Sequence, residues 1–470
     1  VRGGFYGQHP SLNGLERWDR MEHHVDYRSY YASVLDGWLG GGSRDVLGAN
    51  YEDLGLFHGG PGASGGWPAP PPPVVGGSST LTPMQPFRIV DTRDGTGGVP
   101  IRPLGAQETI RVRIAGVSGI PTAGVTAVVA NVVAVDATTP MHFRIFPGGT
   151  PLPASANLNG GPGRPTPNLS LVKLGADGTI EVFNSHGSTH CVIDIFGYTS
   201  VADDTLFVPA GPTRLFDTRD GTGIREGKIL DQTPVDIQVA GRAGIPATGA
   251  TAVVLNLAVT EPESRGFLRL TPSDATVRET ANVNFFAGDT VPNLVICKLG
   301  PDGTVTLDGR GEGVHAIGDV FGYFSVTGDR MWTTPPQRVL DTRDGTGIEG
   351  ARTIGPDRPI RVPLAGRAGI STDATAVVLN VAATNVAARS FIAVYPFGED
   401  HPGTANLNVK PGRNIANLVV CRLGADGALT FDNRIADCDV IADVFGDIVQ
   451  TSVANRVILS KRRCIEVSER

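Results

Sequence analysis

The sequence is short of several features that would assign it to a familiar functional class. Five cysteines in 470 residues, irregularly spaced and without a C-x-x-C pair, are too few for a disulfide scaffold or a thiolate zinc site. No apolar run approaches the roughly 18 to 20 residues that cross a bilayer. The net charge is -7 and the only basic block is KRR at 461–463. A nucleic-acid-binding footprint is therefore absent, and no transmembrane segment is expected.

Aromatic residues are also scarce, at 6%, whereas Gly (62) and Pro (35) are abundant together with Val, Ile and Thr. This composition predicts many short strands joined by tight turns. The first residues, VRGGFYGQHPSL, contain no Met and no apolar signal segment. They predict that the chain is a fragment or a processed product.

The most distinct boundary in the sequence is a Gly/Pro-rich stretch that includes four consecutive prolines, typical of a semi-rigid linker. Upstream of it, the spacing of apolar residues predicts one helix near 26–39. Downstream, the heptapeptide DTRDGTG occurs three times, at intervals of 126 and 124 residues. The predicted parts are 1–57, the linker 58–80, three β-repeats at 81–203, 204–328 and 329–450, and a divergent tail at 451–470.

Residues 1–57 resemble the C-terminal end of a known family. The segments VRGGFYGQHPSL, HHVDYRSYYASVLDGWLG and VLGANYEDLGLF are similar to the end of exported, twin-arginine-signal proteins of unknown function that are distantly similar to sulfatases and alkaline phosphatases. The resemblance implies a secreted parent protein that is a hydrolase. It also implies that the catalytic residues lie upstream, so residues 1–57 would be a remnant of a larger domain.

Each repeat contains about eight strand patterns. In the third repeat these are QRVLDT, PIRVPLAG, TAVVLNVAAT, SFIAVYPFG, TANLNV, NLVVCRL, ALTFDN and DVIADVFG. They predict an all-β fold of three tandem antiparallel β-sandwiches, jelly-roll or Greek-key-like, each of about 115–125 residues. A β-trefoil is the alternative architecture. The Asp426-Gly427 turn predicts a hairpin within LVVCRLGADGALTFDN, and the short connections between repeats predict a semi-rigid rod.

The DTRDGTG motif has three competing interpretations. As a structural corner, its first Asp would accept turn amides or pair with Arg, and its glycines would make the bend. As a Ca²⁺ site, its carboxylates would be ligands, although the Arg places a positive charge in the same loop. Catalysis is the third interpretation and lacks a nucleophile. The metal candidates are Asp91, Asp94, Asp217, Asp220, Asp341 and Asp344, and the structural residues are Arg93, Gly95, Arg219, Gly221, Arg343 and Gly345.

Asparagines recur at equivalent positions of the repeats. Those at the strand starts are Asn157, Asn168, Asn282, Asn293, Asn406 and Asn417, and those within an apolar strand are Asn131, Asn256 and Asn380. They could gather on one surface to bind a glycan. Alternatively, they could satisfy loop carbonyls inside the fold.

Cysteine pairing is open in the third repeat. Cys421 and Cys438 could form a disulfide if their strands pair, or both could be buried thiols.

The repeats resemble those found downstream of exported enzymes, including peptidoglycan amidases, in actinobacterial-type surface proteins. The motifs that carry this resemblance are RVLDTRDGTG, AGRAGI, TAVVLNV, TANLN, NLVVCRLGADG and DVFGY. It implies non-catalytic β-domains outside the cell that attach to an envelope polymer or glycan. The alternatives are the C-terminal part of a secreted phosphatase- or sulfatase-like hydrolase, and a filament subunit that assembles with itself. No cofactor other than Ca²⁺ is expected.

Overall fold

The computed structural model describes residues 80–200, 205–276, 280–356 and 358–450, which belong to one compact unit, Gly76–Arg470. The predicted helix near 26–39, the segment 1–57 and the tail 451–470 lie outside the described residues, as does the linker up to residue 79. Within the described part every regular element is a strand, which confirms the all-β class. That part accordingly has no helix able to span a membrane.

The described residues form 24 strands, eight in each repeat, as the sequence predicts. The first repeat comprises β1 (Thr80–Asp91), β2 (Glu108–Arg113), β3 (Val125–Val135), β4 (Met141–Pro147), β5 (Leu158–Gly160), β6 (Thr166–Lys173), β7 (Thr179–Asn184) and β8 (His190–Ser200). The second comprises β9 (Leu206–Asp217), β10 (Val235–Gln238), β11 (Ala250–Thr260), β12 (Gly266–Pro272), β13 (Val283–Phe285), β14 (Thr290–Lys298), β15 (Thr304–Arg310) and β16 (His315–Ser325). The third comprises β17 (Arg330–Asp341), β18 (Ile360–Pro363), β19 (Ala374–Thr384), β20 (Ser390–Pro396), β21 (Leu407–Val409), β22 (Ile415–Arg422), β23 (Ala428–Asn433) and β24 (Asp439–Val449).

Each repeat builds two antiparallel four-stranded sheets. In the first repeat their strand orders are β1-β8-β3-β6 and β2-β7-β4-β5, and the other two repeats have the equivalent orders. We call the first kind the inner sheet and the second kind the outer sheet. One buried cluster joins both sheets of the repeat, with Val128 and Val132 of β3 packed with Phe143 and Val182. The two sheets of a repeat therefore share a core.

The predicted hairpin in the third repeat is wrong. The turn itself forms as expected, with Gly427 at φ +71°. However, β22 pairs with β19, whereas β23 pairs with β18 and β20. The Asp426-Gly427 turn thus carries the chain from the inner sheet to the outer sheet.

A second kind of core lies between the repeats. The side of the inner sheet that faces away from its own repeat core carries apolar residues in all three repeats, and these pack into one shared cluster. Examples are Val129, Val254 and Val378 at equivalent strand positions, each at most 1% exposed. The third repeat packs back on the first, since β22 contacts both β14 and β6. The six sheets consequently form a ring, and the predicted tandem row and semi-rigid rod are wrong.

The connections between repeats also differ from the prediction. Apolar residues from position 206 onward form the first half of β9, where Leu206 pairs with Ser325. In the same way, Trp332 of β17 pairs with Asp447. The connections are strands of the inner sheets, which leaves little chain to act as a spacer.

Candidate functional site

The DTRDGTG motif forms the same corner in every repeat, at the end of the first strand. At Asp91 the chain reverses through a bridge to Thr96, and the Gly95 amide donates to the Asp91 carbonyl at 2.9 Å. Asp217 and Asp341 form the equivalent bridges to Thr222 and Thr346. The corner therefore closes on itself within six residues.

The first carboxylate of the motif is enclosed by arginines. Asp91 Oδ1 accepts from the Arg93 backbone amide at 3.0 Å and from its Nε at 2.9 Å, and Oδ2 accepts from Arg93 Nη2 at 2.6 Å. Arg88 adds a contact to Oδ2 at 3.1 Å. The same contacts surround Asp217 and Asp341, and all three Asp residues are at most 2% exposed.

These contacts determine the protonation of the carboxylate. Burial raises the pKa of Asp91, but the hydrogen bonds from Arg93 and the charge of Arg88 outweigh burial and hold the pKa below its usual value. At Asp341 the Arg343 side-chain hydrogen bond is the largest influence, and it lowers the pKa. The corner carboxylates are therefore ionised and paired.

The second carboxylate of the motif serves the turn. Asp94 Oδ1 accepts from the Thr96 amide at 2.9 Å, and Asp220 and Asp344 make the equivalent bonds to Thr222 and Thr346 at 2.9 and 2.8 Å. No group of three or more His, Cys, Asp or Glu side chains suited to a metal occurs among the described residues. A Ca²⁺ ion at Asp91 would have to replace a guanidinium that already neutralises it.

One part of the corner was missed by sequence reasoning. Arg88 reaches across to Asp194 of β8 through Nε at 2.9 Å, and Arg214–Asp319 and Arg338–Asp443 repeat the pair at 2.6 Å. The signal was present, because an Arg precedes each DTRDGTG by three residues and an Asp recurs in each closing strand.

The glycines of the motif make the bend, as the sequence predicts. The predicted turn glycines Gly95, Gly221 and Gly345 do have positive φ, at +84°, +78° and +86°. The last glycine is more restricted, since a Cβ at Gly347 would collide with the carbonyl oxygen of Val339.

The recurring asparagines lie in the interior, at the junctions between repeats. All six at the strand starts are at most 2% exposed. Asn293 Nδ2 donates to Asn131 Oδ1 at 3.0 Å, and Asn131 Nδ2 donates to the Ala281 carbonyl at 2.7 Å. Asn417 with Asn256, and Asn168 with Asn380, make the equivalent bonds at 3.0 Å. These bonds join repeat 1 to 2, 2 to 3, and 3 to 1. We give the name asparagine ring to the six asparagines at the strand starts together with Asn131, Asn256 and Asn380.

The remaining asparagines of the ring support their own repeats. Asn157, Asn282 and Asn406 each accept from the backbone amide of a neighbouring outer-sheet strand, at 2.7, 2.6 and 2.7 Å. Asn293 and Asn417 each donate to the carbonyl of that first asparagine at 2.7 Å. The side-chain oxygens of Asn157, Asn282 and Asn406 are thus used within the protein, whereas Asn157 Nδ2 and Asn282 Nδ2 have no hydrogen-bond partner among the described residues.

The structure corrects the disulfide alternative, since Cys421 and Cys438 are both free and buried. Cys421 of β22 lies opposite Val377, and Asp439, next to Cys438, lies opposite Thr384 on the same central strand β19. Seven strand residues span about 23 Å, well beyond the roughly 7 Å limit between bridged Cα atoms.

A cavity of about 670 Å³ opens where β6, β14 and β22 begin. All three repeats line it. It contains Asn159, Asn284 and Asn408, which occupy the same position in each repeat, two residues after the first asparagine of the ring. None of these three amide groups has a hydrogen-bond partner among the described residues. Their donors and acceptors therefore face the cavity without being used by the described residues.

The charge of the cavity is set by a position that differs between repeats. Four residues before Asn168, Asn293 and Asn417 stand Arg164, Asp289 and Arg413. Asp289 is 5% exposed and pairs with Arg164 at 2.9 Å and with Lys410 at 3.2 Å. The Arg164 guanidinium also stacks on Phe286, 4.6 Å from the ring centre.

The cavity carries an excess of positive charge. Its cationic lining residues are Arg164, Arg389, Lys410 and Arg413, and Asp289 is its only carboxylate. Burial, followed by the charges of Arg144 and His186, lowers the pKa of the lining residue His142 to about 4. At neutral pH, His142 therefore adds no charge.

No protein-family model matches the chain, and no curated protein matches it. Similar solved structures include one described as "Life in the extremes: atomic structure of Sulfolobus Turreted Icosahedral Virus", 8% identical, with a TM-score of 0.17, covering 75% of this chain and 86% of that one. Another is described as "The Triple Jelly Roll Fold and Turret Assembly in an Archaeal Virus", 7% identical, with a TM-score of 0.17, covering 78% and 96%. At these TM-scores the likeness assigns neither fold nor function.

Proposed function

We propose that this chain is a non-catalytic extracellular module that attaches to an envelope polymer or glycan. The observation that carries this proposal is the cavity at the junction of the three repeats, with three unpartnered amides beside cationic side chains. Amide and guanidinium groups are donors suited to sugar hydroxyls and acidic substituents. The extracellular location follows from the resemblance of the repeats to those of exported surface proteins.

The fold supports a binding role over a spacer role. The asparagine ring and the shared core hold the three repeats together. A cavity shared by three repeats needs their relative positions to be fixed. The ring supplies that fixed arrangement, whereas a flexible array would not.

The chemistry of the described residues also supports a non-catalytic role. The buried corner carboxylates are paired with arginines. Burial raises the pKa of Cys191, Cys297 and Cys421 above that of a free thiol, so these thiols are protonated at neutral pH. These carboxylates and thiols are therefore not activated as nucleophiles.

The test is binding of the full chain to isolated cell wall and to a glycan panel, with and without a calcium chelator. We expect saturable binding that the chelator does not change. The same preparation should not hydrolyse an aryl sulfate or a phosphate ester. Turnover that survives repurification, or long filaments of the purified chain in electron micrographs without glycan binding, would contradict the proposal.

A further inference from the structure

We propose that the cavity binds an acidic glycan, with Arg164, Arg413 and Lys410 contacting its carboxylate or phosphate groups. This inference rests on the proposed attachment function and names both the site and the ligand class. The cavity has a net charge of about +3 in a chain whose net charge is -7. Its cationic side chains therefore stand out against an acidic background, and they favour an anion over a neutral ligand.

The arrangement of the charges leaves them under-neutralised. Asp289 lies between Arg164 of the first repeat and Lys410 of the third, and so shares one negative charge between two cations. Arg413 and Arg389 form no ion pair with any described residue. An anion entering the cavity would find cations from two repeats with unsatisfied donors.

The neutral part of the site suits a sugar. Asn159, Asn284 and Asn408 present both donors and acceptors, as hydroxyl groups require, and Phe391 contributes an apolar surface to the wall. The volume, about 670 Å³, lies within the range of roughly 300 to 1,000 Å³ typical of small-ligand pockets. The site would thus enclose a few sugar units.

Asp289 weakens the binding of an anion in this proposal, whereas the cationic residues strengthen it. Because it neutralises Arg164 and Lys410 in the absence of ligand, it competes with the acidic group of the glycan. Replacing it with Asn keeps the shape and an acceptor for the Phe286 amide, which bonds Asp289 at 2.8 Å. Asp289→Asn should therefore increase affinity, a result that damage to the fold cannot produce.

The experiment uses calorimetry on the full chain with three probes of equal length: an oligomer of galacturonic acid, a glucose oligomer that carries phosphate groups, and the neutral glucose oligomer. We expect at least one acidic probe to bind at least tenfold more tightly than the neutral one, and its affinity to fall with salt. The two acidic probes distinguish a carboxylate ligand from a phosphate ligand. The double variant Arg164→Gln/Arg413→Gln should lose at least tenfold in affinity, while Asp289→Asn should gain several-fold.

The matched control is Arg367→Gln, an exposed arginine before β19, at the opposite end of the inner sheet from the cavity. It should bind as the unmodified chain does. Equal binding of acidic and neutral probes, failure of both acidic probes to bind, or a double variant that binds normally would overturn the proposal. If the unmodified chain binds to cell wall and the double variant binds equally well, the proposed attachment function stands and the assignment of the cavity as its site fails.

Discussion

Replacing Asn380 with Ala tests whether the third repeat closes on the first. Asn380 is 3% exposed, and its Nδ2 donates to the Ala156 carbonyl at 2.7 Å while its Oδ1 accepts from Asn168 Nδ2 at 3.0 Å. The substitution removes the partner of the part-buried Ala156 carbonyl and of one N–H of Asn168, whose other N–H still donates to the Asn157 carbonyl. At about 1–3 kcal/mol for each group, the free energy of unfolding should fall by about 2–6 kcal/mol.

A double-mutant cycle with Asn168→Ala separates ring closure from local damage. Asn168 also accepts from the Leu418 amide at 3.2 Å, so both residues belong to the junction of repeats 1 and 3. Because the two variants remove opposite ends of one hydrogen bond, their effects should not add. We expect a coupling energy of about 1–2 kcal/mol, measured by urea denaturation of the full chain followed by circular dichroism.

Asn184 provides the control for this cycle. It is as buried as Asn168 and lies in the same repeat, but it donates to Leu104, Gly105 and Gly187, all within repeat 1. Asn184→Ala combined with Asn380→Ala should be additive within about 0.5 kcal/mol. If the cycle with Asn168 is equally additive, repeats 1 and 3 are not joined and the ring is refuted.

Three further predictions concern the corner and the third repeat. Gly347→Ala should cost about 3 kcal/mol or more, because it adds a backbone collision to positive-φ strain, whereas Gly350→Ala, with φ +71° and open space, should cost only about 1 kcal/mol in the same urea assay. Burial raises the pKa of Asp447, so the native state holds its proton more tightly; stability should decline as pH rises above the unfolded value of about 3.9, and Asp447→Asn should remove that decline when unfolding is measured at pH 4 and pH 7. A difference between variant and parent that does not change with pH would contradict this. Since arginine already neutralises Asp341, chelation of calcium should leave the thermal midpoint unchanged, and a drop of several degrees would instead support a bound ion.

The strands and the corner could be predicted from the sequence because both are local. Alternating and β-branched patterns marked all eight strands of the third repeat, and two glycines with an Asp-Arg pair marked a turn. The pairing of those strands is not local. Since LVVCRLGADGALTFDN has the pattern of a hairpin, only competition from β19 and β20 for the same strands reveals that the turn joins two sheets.

The sequence contains a sign of the ring in the apolar run TAVVLNV, but its periodicity alone does not show what covers each face of the strand. TAVVLNV is apolar at successive positions, which is typical of a strand buried on both faces. In the first repeat, Val128 and Val132 face the repeat core, whereas Ala127 and Val129 face the other repeats. The predicted sandwich accounts for the burial of only one face of this strand, because the other face packs against the neighbouring repeats.

The positions where the repeats agree and the positions where they differ have different physical meanings. In a closed ring, every repeat must offer the strand asparagine to the next repeat and accept one from the previous repeat, so each repeat needs the same set. An open rod would leave one set at each end without a partner. The cavity has no such constraint, and there the equivalent residues are Arg164, Asp289 and Arg413. The shared strand asparagines therefore form the interfaces between repeats, whereas the difference at Arg164, Asp289 and Arg413 makes the charge of the proposed binding cavity asymmetric.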